Sequence, residues 1–242
     1  MSQESPAGKV TTTPAQRTAV ILQPSYFPWI GYFAQMARAD VFVVYDDVQY
    51  DKHSWRNRNR IKSSAGPQWL TVPVRTHGRD QPTNRGIHVD NAQNWRRKHL
   101  LSIQQNYSKA LYFAQYFPVF EQLFAREWDL LIDLNLAAFS AMNEALGLVR
   151  EIKFSSELGC EGASVERLIA LCHTLGATRF YEGSAGRDYI DDSLFRSAGI
   201  EIEYQDYPHP TYPQLHGDFV SHLSIIDLLF NCGPKSMEVL AV

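Results

Sequence analysis

The stretch from Ala19 to Tyr45 constrains the fold of this chain more than any other. An apolar run at 19–22 is followed by a turn with two prolines, by a segment with apolar residues at helical spacing, and by a β-branched and aromatic run at 41–45. A strand, loop, helix and strand within roughly 30 residues form a βαβ unit. Both runs are continuous, which is typical of parallel strands buried on both faces. Because open parallel sheets bind ligands beyond the carboxyl ends of their strands, we expect functional residues at 23–29 and from Asp46 onward.

The composition is that of a globular protein, with 242 residues, 45% hydrophobic and 20% charged. Its apolar runs are much shorter than a membrane span, so no membrane association is expected. Residues 1–17 are polar and lack the apolar core of a signal peptide, which predicts a disordered leader. Three cysteines without paired spacing predict buried thiols in a reducing cytoplasm and no metal site.

Strand and helix patterns alternate through most of the chain. Strand-like runs at 151–154, 178–182 and 200–204 are separated by helical patterns. This order predicts an α/β fold, a Rossmann-like, mostly parallel sheet with helices on both faces, plus a helical segment in the middle of the chain. The expected divisions are a leader at 1–17, a Rossmann-like N-terminal part at 18–90, the helical segment at 91–148, and a C-terminal α/β part at 149–242 that forms one compact domain with the N-terminal part.

Basic side chains alternate with other residues after the second strand. If residues 56–62 are extended, Arg56, Arg58, Arg60 and Lys62 share one face, because strand side chains alternate with period two. Like charges on one face repel unless an anion meets them, and arginine offers a bidentate fork to phosphate or carboxylate. Nearby aspartates could pair with these cations instead. The strip is therefore either a ligand-facing surface or a solvated, self-paired edge.

Two histidines and one glycine loop are further candidates. His99 falls in a predicted helix, where a partly buried structural role is the alternative to catalysis. His209 lies between two prolines in a stiff loop, and a role in the site is weighed equally with a structural one. Gly183 and Gly186 frame a loop after a strand, which fits a phosphate cradle or a tight turn.

The first βαβ unit resembles the nucleotidylyl transferase superfamily. In that superfamily a loop Pro-His-x-Gly-His leads from the first strand into a helix, and its histidines stabilise phosphates. Here the loop is Pro28-Trp29-Ile30-Gly31-Tyr32, so both histidines are replaced. Aromatic replacements supply no positive charge, and the resemblance therefore implies the fold rather than the reaction.

Residues 19–233 also resemble the WbqC-like family. The matching motifs are Gln23-Pro-Ser-Tyr-Phe-Pro-Trp-Ile-Gly-Tyr-Phe33, Tyr45-Asp-Asp-Val-Gln49, Ser54-Trp-Arg-Asn-Arg-Asn-Arg-Ile61 and Trp69-Leu-Thr-Val-Pro73, then Gly183, Tyr189, Tyr212, Gln214 and Ser224-Ile-Ile-Asp-Leu228. This resemblance implies a transferase in the biosynthesis of surface polysaccharides or specialised metabolites. The transferred group would be an aminoacyl group, with glycine the usual suggestion, and the acceptor an amine.

Amide formation needs an activated acyl donor, a neutral amine and a stabiliser for the tetrahedral oxyanion. No Gly-x-Ser-x-Gly elbow and no cysteine in a nucleophile context are present in the sequence, which favours direct attack by the amine. The candidate catalytic residues are Asp46, Asp47, His99 and His209. The candidate substrate-binding residues are Gln23, Tyr26, Trp29, Lys52, Trp55, Asn57, Arg58, Arg60, Lys62, Gly183, Tyr212 and Gln214.

The expected partners are a small-molecule amine acceptor and one of three acyl donors. The donor is an aminoacyl-tRNA, a carrier-protein thioester or an amino acid activated by ATP. No cofactor is assigned outright, and ATP with Mg²⁺ is the one candidate. Two other classes stay open: a nucleotidylyl transferase with an altered loop, and a non-catalytic protein that binds a pathway intermediate.

Overall fold

The computed structural model describes residues 16–75 and 82–240. Most of the predicted leader at 1–17, and the middle of a predicted loop, lie outside these residues. The elements are, in chain order, β1 (Thr18–Leu22), α1 (Ile30–Arg38), β2 (Val41–Val44), β3 (Arg58–Ser63), β4 (Gly66–Thr71), β5 (Val74–Arg75), β6 (His88–Val89), α2 (Trp95–Tyr107), α3 (Phe113–Ala125), α4 (Leu131–Leu146), β7 (Glu151–Phe154), α5 (Ser164–Thr174), β8 (Arg179–Glu182), α6 (Asp192–Ser197), β9 (Glu201–Tyr204), α7 (Ile225–Cys232) and α8 (Ser236–Leu240).

Five parallel strands form the central sheet in the order β7-β2-β1-β8-β9. In this sheet Ala19 of β1 lies between Val41 of β2 and Phe180 of β8. The chain thus builds the sheet outward from β1, first toward β7 and later toward β9. The point where this direction reverses, between the carboxyl ends of β1 and β8, is the topological switch point at which open α/β sheets bind ligands.

The sheet separates two hydrophobic cores. Val20 and Phe42 point into the core that contains α1 and α2–α4. Ile21 and Val43, the next residues along each strand, point into a smaller core with Leu171 of α5. This alternation follows from the period-two geometry of strands, and it confirms the predicted α/β fold with helices on both faces.

The remaining strands lie outside the central sheet. β3 pairs with β4 in an antiparallel hairpin, and β5 pairs with β6. The helical segment in the middle of the chain is confirmed as α2, α3 and α4, and α4 ends as predicted at Gly147, with a φ of 66°. Within the described residues, no helix is both long and apolar enough to cross a lipid bilayer.

Candidate functional site

A cavity of about 300 Å³ opens at the switch point. Three strand ends supply part of its lining: Gln23 follows β1, Gly183 follows β8 and Gln205 follows β9. Trp29 and Tyr32, at the start of α1, form another wall. These are the two positions at which the nucleotidylyl transferase loop carries histidines. The strand-end rule therefore predicts residues that line this cavity, although it was not applied to Gln205.

Arg56 places a fixed positive charge in the wall of this cavity. Its Nη1 donates to the carbonyl of Gln23 at 2.9 Å and to Ser25 Oγ at 2.7 Å, and its Nε donates to Ser54 Oγ at 3.2 Å. Among the described residues its Nη2 has no hydrogen-bond partner and the side chain forms no ion pair. Burial lowers the pKa of Arg56, but a guanidinium stays protonated at neutral pH. The charge is oriented by the protein and left for an anionic or carbonyl oxygen.

Two glutamines supply amide groups beside Arg56. Gln35 Nε2 donates to Gln205 Oε1 at 3.0 Å, and Gln205 Nε2 donates to the carbonyl of Gly31 at 3.0 Å. This chain fixes the orientation of both amides. Gln35 Oε1 is buried and has no donor partner in the described part of the chain. An ammonium in the cavity would satisfy it, because such a group donates hydrogen bonds and cannot accept them.

A smaller cavity of about 230 Å³ adjoins the first and is lined by Trp29, Trp55 and His222. Trp29 and Trp55 line both cavities, and we call the two cavities together the cleft. The ring of His222 stacks on Trp29, with centroids 5.1 Å apart and planes 18° apart. Its backbone has a φ of 58°, and Arg60 Nη2 donates to its carbonyl at 3.2 Å. The protein thus holds His222 at the mouth of the cleft in a conformation that non-glycine residues rarely adopt.

His209 orients His222 instead of facing the cleft with a free nitrogen. Its Nδ1 lies 2.9 Å from the carbonyl of Pro210, so Nδ1 carries the proton, and its Nε2 accepts from the backbone N–H of His222 at 3.0 Å. Burial lowers the pKa of His209, which keeps it neutral at pH 7. The Nε2 of His222 has no partner among the described residues, whereas its Nδ1 contacts Ser221 Oγ at 2.8 Å. Sequence reasoning missed His222, whose only signal is its place just before the matched Ser224 motif.

The carboxylate of Asp46 is fully engaged by the protein. Oδ1 accepts from Ser155 Oγ and from the backbone N–H of Ser156, both at 3.0 Å. Oδ2 accepts from Arg85 Nη1 at 2.7 Å and from Ser156 Oγ at 2.8 Å. Burial alone would raise the pKa of Asp46, but these hydrogen bonds together outweigh it and lower the pKa. A carboxylate with every acceptor direction filled and a lowered pKa is a poor proton acceptor.

Asp47 meets the same hydroxyl as Asp46. Its Oδ1 lies 2.6 Å from Ser155 Oγ, so the two carboxylates share the single proton of this hydroxyl. Asp47 also pairs with Arg167 of α5. Adjacent residues on a strand would point to opposite faces, but β2 ends at Val44, so both aspartates lie in the following loop. Each is neutralised by an arginine, which does not favour either as the base or as a magnesium ligand.

Tyr26 and His99 lie in the core and away from the cleft. Tyr26 is fully buried, and its hydroxyl lies 2.9 Å from His99 Nδ1. Burial lowers the pKa of His99 to about 4, so it is neutral at physiological pH. Tyr26 and His99 therefore do not line the cleft, and His99 instead lines a separate cavity with Trp69 and Trp95. The burial of His99 and its contact with Tyr26 favour the structural alternative.

Four more predicted residues form internal contacts in place of a ligand surface. Lys62 is 1% exposed and donates from Nζ to the carbonyls of Gly217 and Asp218. Asn57 donates to the carbonyl of Val72 at 2.8 Å, and Gln214 donates to the buried Asp227 at 2.8 Å. Tyr212 is buried, and burial raises its pKa above the usual range. Lys52 is exposed in the turn that precedes Trp55.

Glu182 is a second residue that sequence reasoning missed. It is the last residue of β8 and is buried, and its Oε1 accepts from the backbone N–H of Gly183 at 2.9 Å. A Cβ at Gly186 would overlap its side chain and touch Tyr204, which places Glu182 on the α6 side of the sheet edge. Burial raises the pKa of Glu182 to about 7. An acidic residue at a strand end was the available signal.

Fold and cleft together define an α/β protein of the Rossmann-like class with a cavity at its topological switch point. The model of the WbqC-like protein family matches residues 23–239, and the chain belongs to this family. It is 36% identical over 226 residues to an uncharacterized protein of Mycobacterium tuberculosis, Rv1507c, and the match covers 93% of this chain and 97% of that relative. No solved structure was found to match the chain.

Proposed function

We propose that this protein is a transferase that forms an amide by moving an aminoacyl group onto an amine acceptor in the cleft. The observation that carries this proposal is that Arg56 and His222 both line the cleft: among the described residues Arg56 forms no ion pair and the Nε2 of His222 has no partner. An acyl transfer by direct attack needs these two groups, one for the oxyanion and one for the proton of the amine.

The aminoacyl group fits the inner cavity by size and by polarity. A volume of about 300 Å³ suits a small aminoacyl group such as glycyl. Arg56 Nη2 would donate to the carbonyl oxygen of the donor, and Gln35 Oε1 would accept from its amino group. The acceptor would enter through the mouth between Trp29 and Trp55, beside His222.

The reaction forms a C–N bond and breaks the C–O bond of an ester or the C–S bond of a thioester. The neutral nitrogen of the acceptor attacks the carbonyl carbon, and Arg56 stabilises the negative charge that develops on the oxygen. His222 takes the proton that the nitrogen loses and returns it to the departing alkoxide or thiolate. No covalent intermediate with the protein is required, because the amine attacks the donor directly.

The test is a transfer assay with isotope-labelled glycine, supplied as glycyl-tRNA, as a glycyl thioester, or free with ATP, against a panel of amino sugars. Product amides are detected by mass spectrometry. The variant His222→Ala should lose at least tenfold in rate, since general base catalysis contributes about 10²–10⁴-fold. The matched control is His88→Ala, which removes a histidine of β6 that pairs with Asp129. An undiminished rate in His222→Ala would refute this assignment of the base.

Nucleotidyl transfer is the second candidate, and one observation favours it. Trp29 and Tyr32 replace the two histidines of the related superfamily, and the charge of Arg56 lies close enough to Tyr32 to oppose the rise in its pKa that burial causes. Arg56 could thus supply the positive charge that the loop lost. Isotope exchange between pyrophosphate and ATP or CTP would support this reaction, and its absence with both nucleotides would count against it. Ligand binding without turnover in any assay would instead identify a non-catalytic binding protein.

A further inference from the structure

The face of the β3–β4 hairpin beside the cleft carries exposed aromatic rings and unpaired arginines. We infer that this face binds the single-stranded 3′ end of an RNA, which makes aminoacyl-tRNA the donor. The identification of an acyl donor rests on the proposed function, but the RNA-binding surface is supported by observations of its own. We call Trp55, Trp69, Arg58 and Arg60 the hairpin surface.

Two tryptophans form the aromatic part of the hairpin surface. Trp55 and Trp69 are 43% and 46% exposed, whereas Trp95 and Trp128 are buried. Their rings stack on each other, with centroids 5.3 Å apart and planes 28° apart. The stack fixes both rings while nearly half of each side chain stays open to solvent. Exposed, oriented indole rings are the platforms on which unpaired bases stack in single-strand binding proteins.

Two arginines complete the hairpin surface. The guanidinium carbon of Arg58 lies 4.8 Å from the ring centroid of Trp69, and that of Arg60 lies 5.7 Å from both indole centroids. Register explains this arrangement, since Arg60 is directly opposite Trp69 on β4 and Arg58 is two residues away on the same face. Arg58 and Arg60 therefore share one face, as the alternation predicts. The other two members of the predicted strip do not join this surface, since Arg56 precedes β3 and Lys62 is buried.

Neither arginine of the hairpin surface pairs with an acidic side chain among the residues that the structure describes, and the Nε of each is buried without a hydrogen-bond partner there. The guanidinium of Arg58 donates to the backbone carbonyl of His53, and that of Arg60 donates to the carbonyl of His222. By contrast, Arg85 is paired with an aspartate. Guanidiniums that the protein leaves unpaired are available to phosphate oxygens.

The combination of rings and charges selects among the three donor classes. A carrier-bound pantetheine arm presents a phosphate but no ring for the indoles. An ATP-activated amino acid presents one base, and it would be held in the cavity. A single-stranded RNA end presents successive bases and phosphates together, which matches two rings and two cations. Trp55 belongs to both the hairpin surface and the cleft, so a strand end lying on it would bring its terminal ester to Arg56.

The test measures binding of a 5′-fluorescein-labelled RNA tetranucleotide by fluorescence anisotropy, with a blunt-ended RNA hairpin as the base-paired comparison. We expect the wild type to bind the single strand more tightly than the hairpin. Trp69→Ala and Arg58→Ala should each raise the Kd at least fivefold, since one stacked base contributes a factor of about five or more. The matched control is Arg126→Ala, which removes the same charge from an arginine that lies over Trp128 at the end of α3. Its Kd should be unchanged.

The same variants are tested for transfer from a small glycyl thioester, which contains no nucleic acid, and circular dichroism verifies that each is folded. Transfer from the thioester without preferential binding of single-stranded RNA, or with equal Kd values for wild type and Trp69→Ala, would overturn the inference and leave the proposed function standing. RNA binding that Trp69→Ala weakens, with no transfer from any donor, would keep the surface and reject the proposed function. Binding of a pantetheinylated carrier protein in place of the RNA would also overturn the inference.

Discussion

The substitution Lys62→Met separates a structural role for Lys62 from the ligand-binding role that its place in the basic strip predicts. The ammonium of Lys62 donates to the carbonyls of Gly217 and Asp218, and so ties the loop before α7 to β3. Methionine keeps an unbranched apolar side chain of similar length and removes only the charge and its hydrogen bonds.

The expected loss is about 2 kcal/mol in the free energy of unfolding. A hydrogen bond from a charged donor contributes about 1.5–3 kcal/mol, so two bonds set an upper limit of about 6 kcal/mol. Two effects reduce this value. Gly217 and Asp218 are exposed, so their carbonyls can regain water, and the variant no longer has to desolvate an ammonium. One effect opposes them, because the variant also leaves the fully buried Asp227 without the nearby charge of Lys62. In the wild type this charge lowers the pKa of Asp227, although burial has the larger effect and raises it.

Urea unfolding monitored by circular dichroism measures this loss, and an unchanged m-value would show that the extent of unfolding is the same. The control is Lys52→Met, which removes an exposed lysine and should leave the midpoint unchanged. The Kd for the RNA tetranucleotide should not change in Lys62→Met. A stability change below about 0.5 kcal/mol, combined with weaker RNA binding, would refute the structural role.

Three further predictions concern groups around the sheet edge. Because burial raises the pKa of Glu182 to about 7, its protonated form stabilises the fold fully at low pH, and this contribution is lost as the pH rises through 7. Between pH 5 and pH 8 the free energy of unfolding of the wild type should fall by up to about 3 kcal/mol more than that of Glu182→Gln. Equal shifts of the urea midpoint in both proteins would contradict this. Asp46→Asn should show the reverse pH dependence, because the lowered pKa of Asp46 means that its ionised form stabilises the fold above the usual pKa of an aspartate. The variant should be about 1–2 kcal/mol less stable than the wild type at pH 7. In urea titrations this difference should shrink below about pH 4. In Gly31→Ala the new Cβ would overlap the Trp29 ring. Displacing Trp29 from His222 should shift the tryptophan fluorescence and slow transfer at least tenfold. The gain in helix propensity from glycine to alanine, about 1 kcal/mol, limits the loss of stability. An unchanged rate of transfer would show that the stacking is dispensable.

The parts of the fold that depend on local periodicity were predictable. The β1–α1–β2 unit follows from two continuous apolar runs and one helical spacing, and the common face of Arg58 and Arg60 follows from the period of a strand. The burial of Lys62 does not follow from that period, because the loop that covers it lies 155 residues further along the chain. Patterns in sequence report which face a residue takes but not which distant segment covers it.

The candidate site was predictable in place but not in detail. The strand-end rule predicts Gln23, which lines the cleft, and the stiffness of the proline loop predicts that His209 is held in place, with a catalytic and a structural role both open. That His209 serves His222 depends on a hydrogen bond between residues 13 apart in an irregular loop. The orientation of Arg56 likewise depends on carbonyl and hydroxyl oxygens more than 30 residues earlier. Such contacts are set by tertiary packing, which no local pattern encodes.

The central position of β1 in the sheet has a consequence for how the protein is made. β1 is synthesised well before β8, yet Thr18 pairs with Arg179 of β8. At about 5–20 residues per second, the strand that covers this side of β1 follows roughly 8–30 s later on the ribosome. Until then the nascent chain exposes an apolar strand edge, which is a template for pairing with other chains. Chaperone binding to ribosome-bound chains should therefore persist until β8 has emerged and should fall once it pairs with β1.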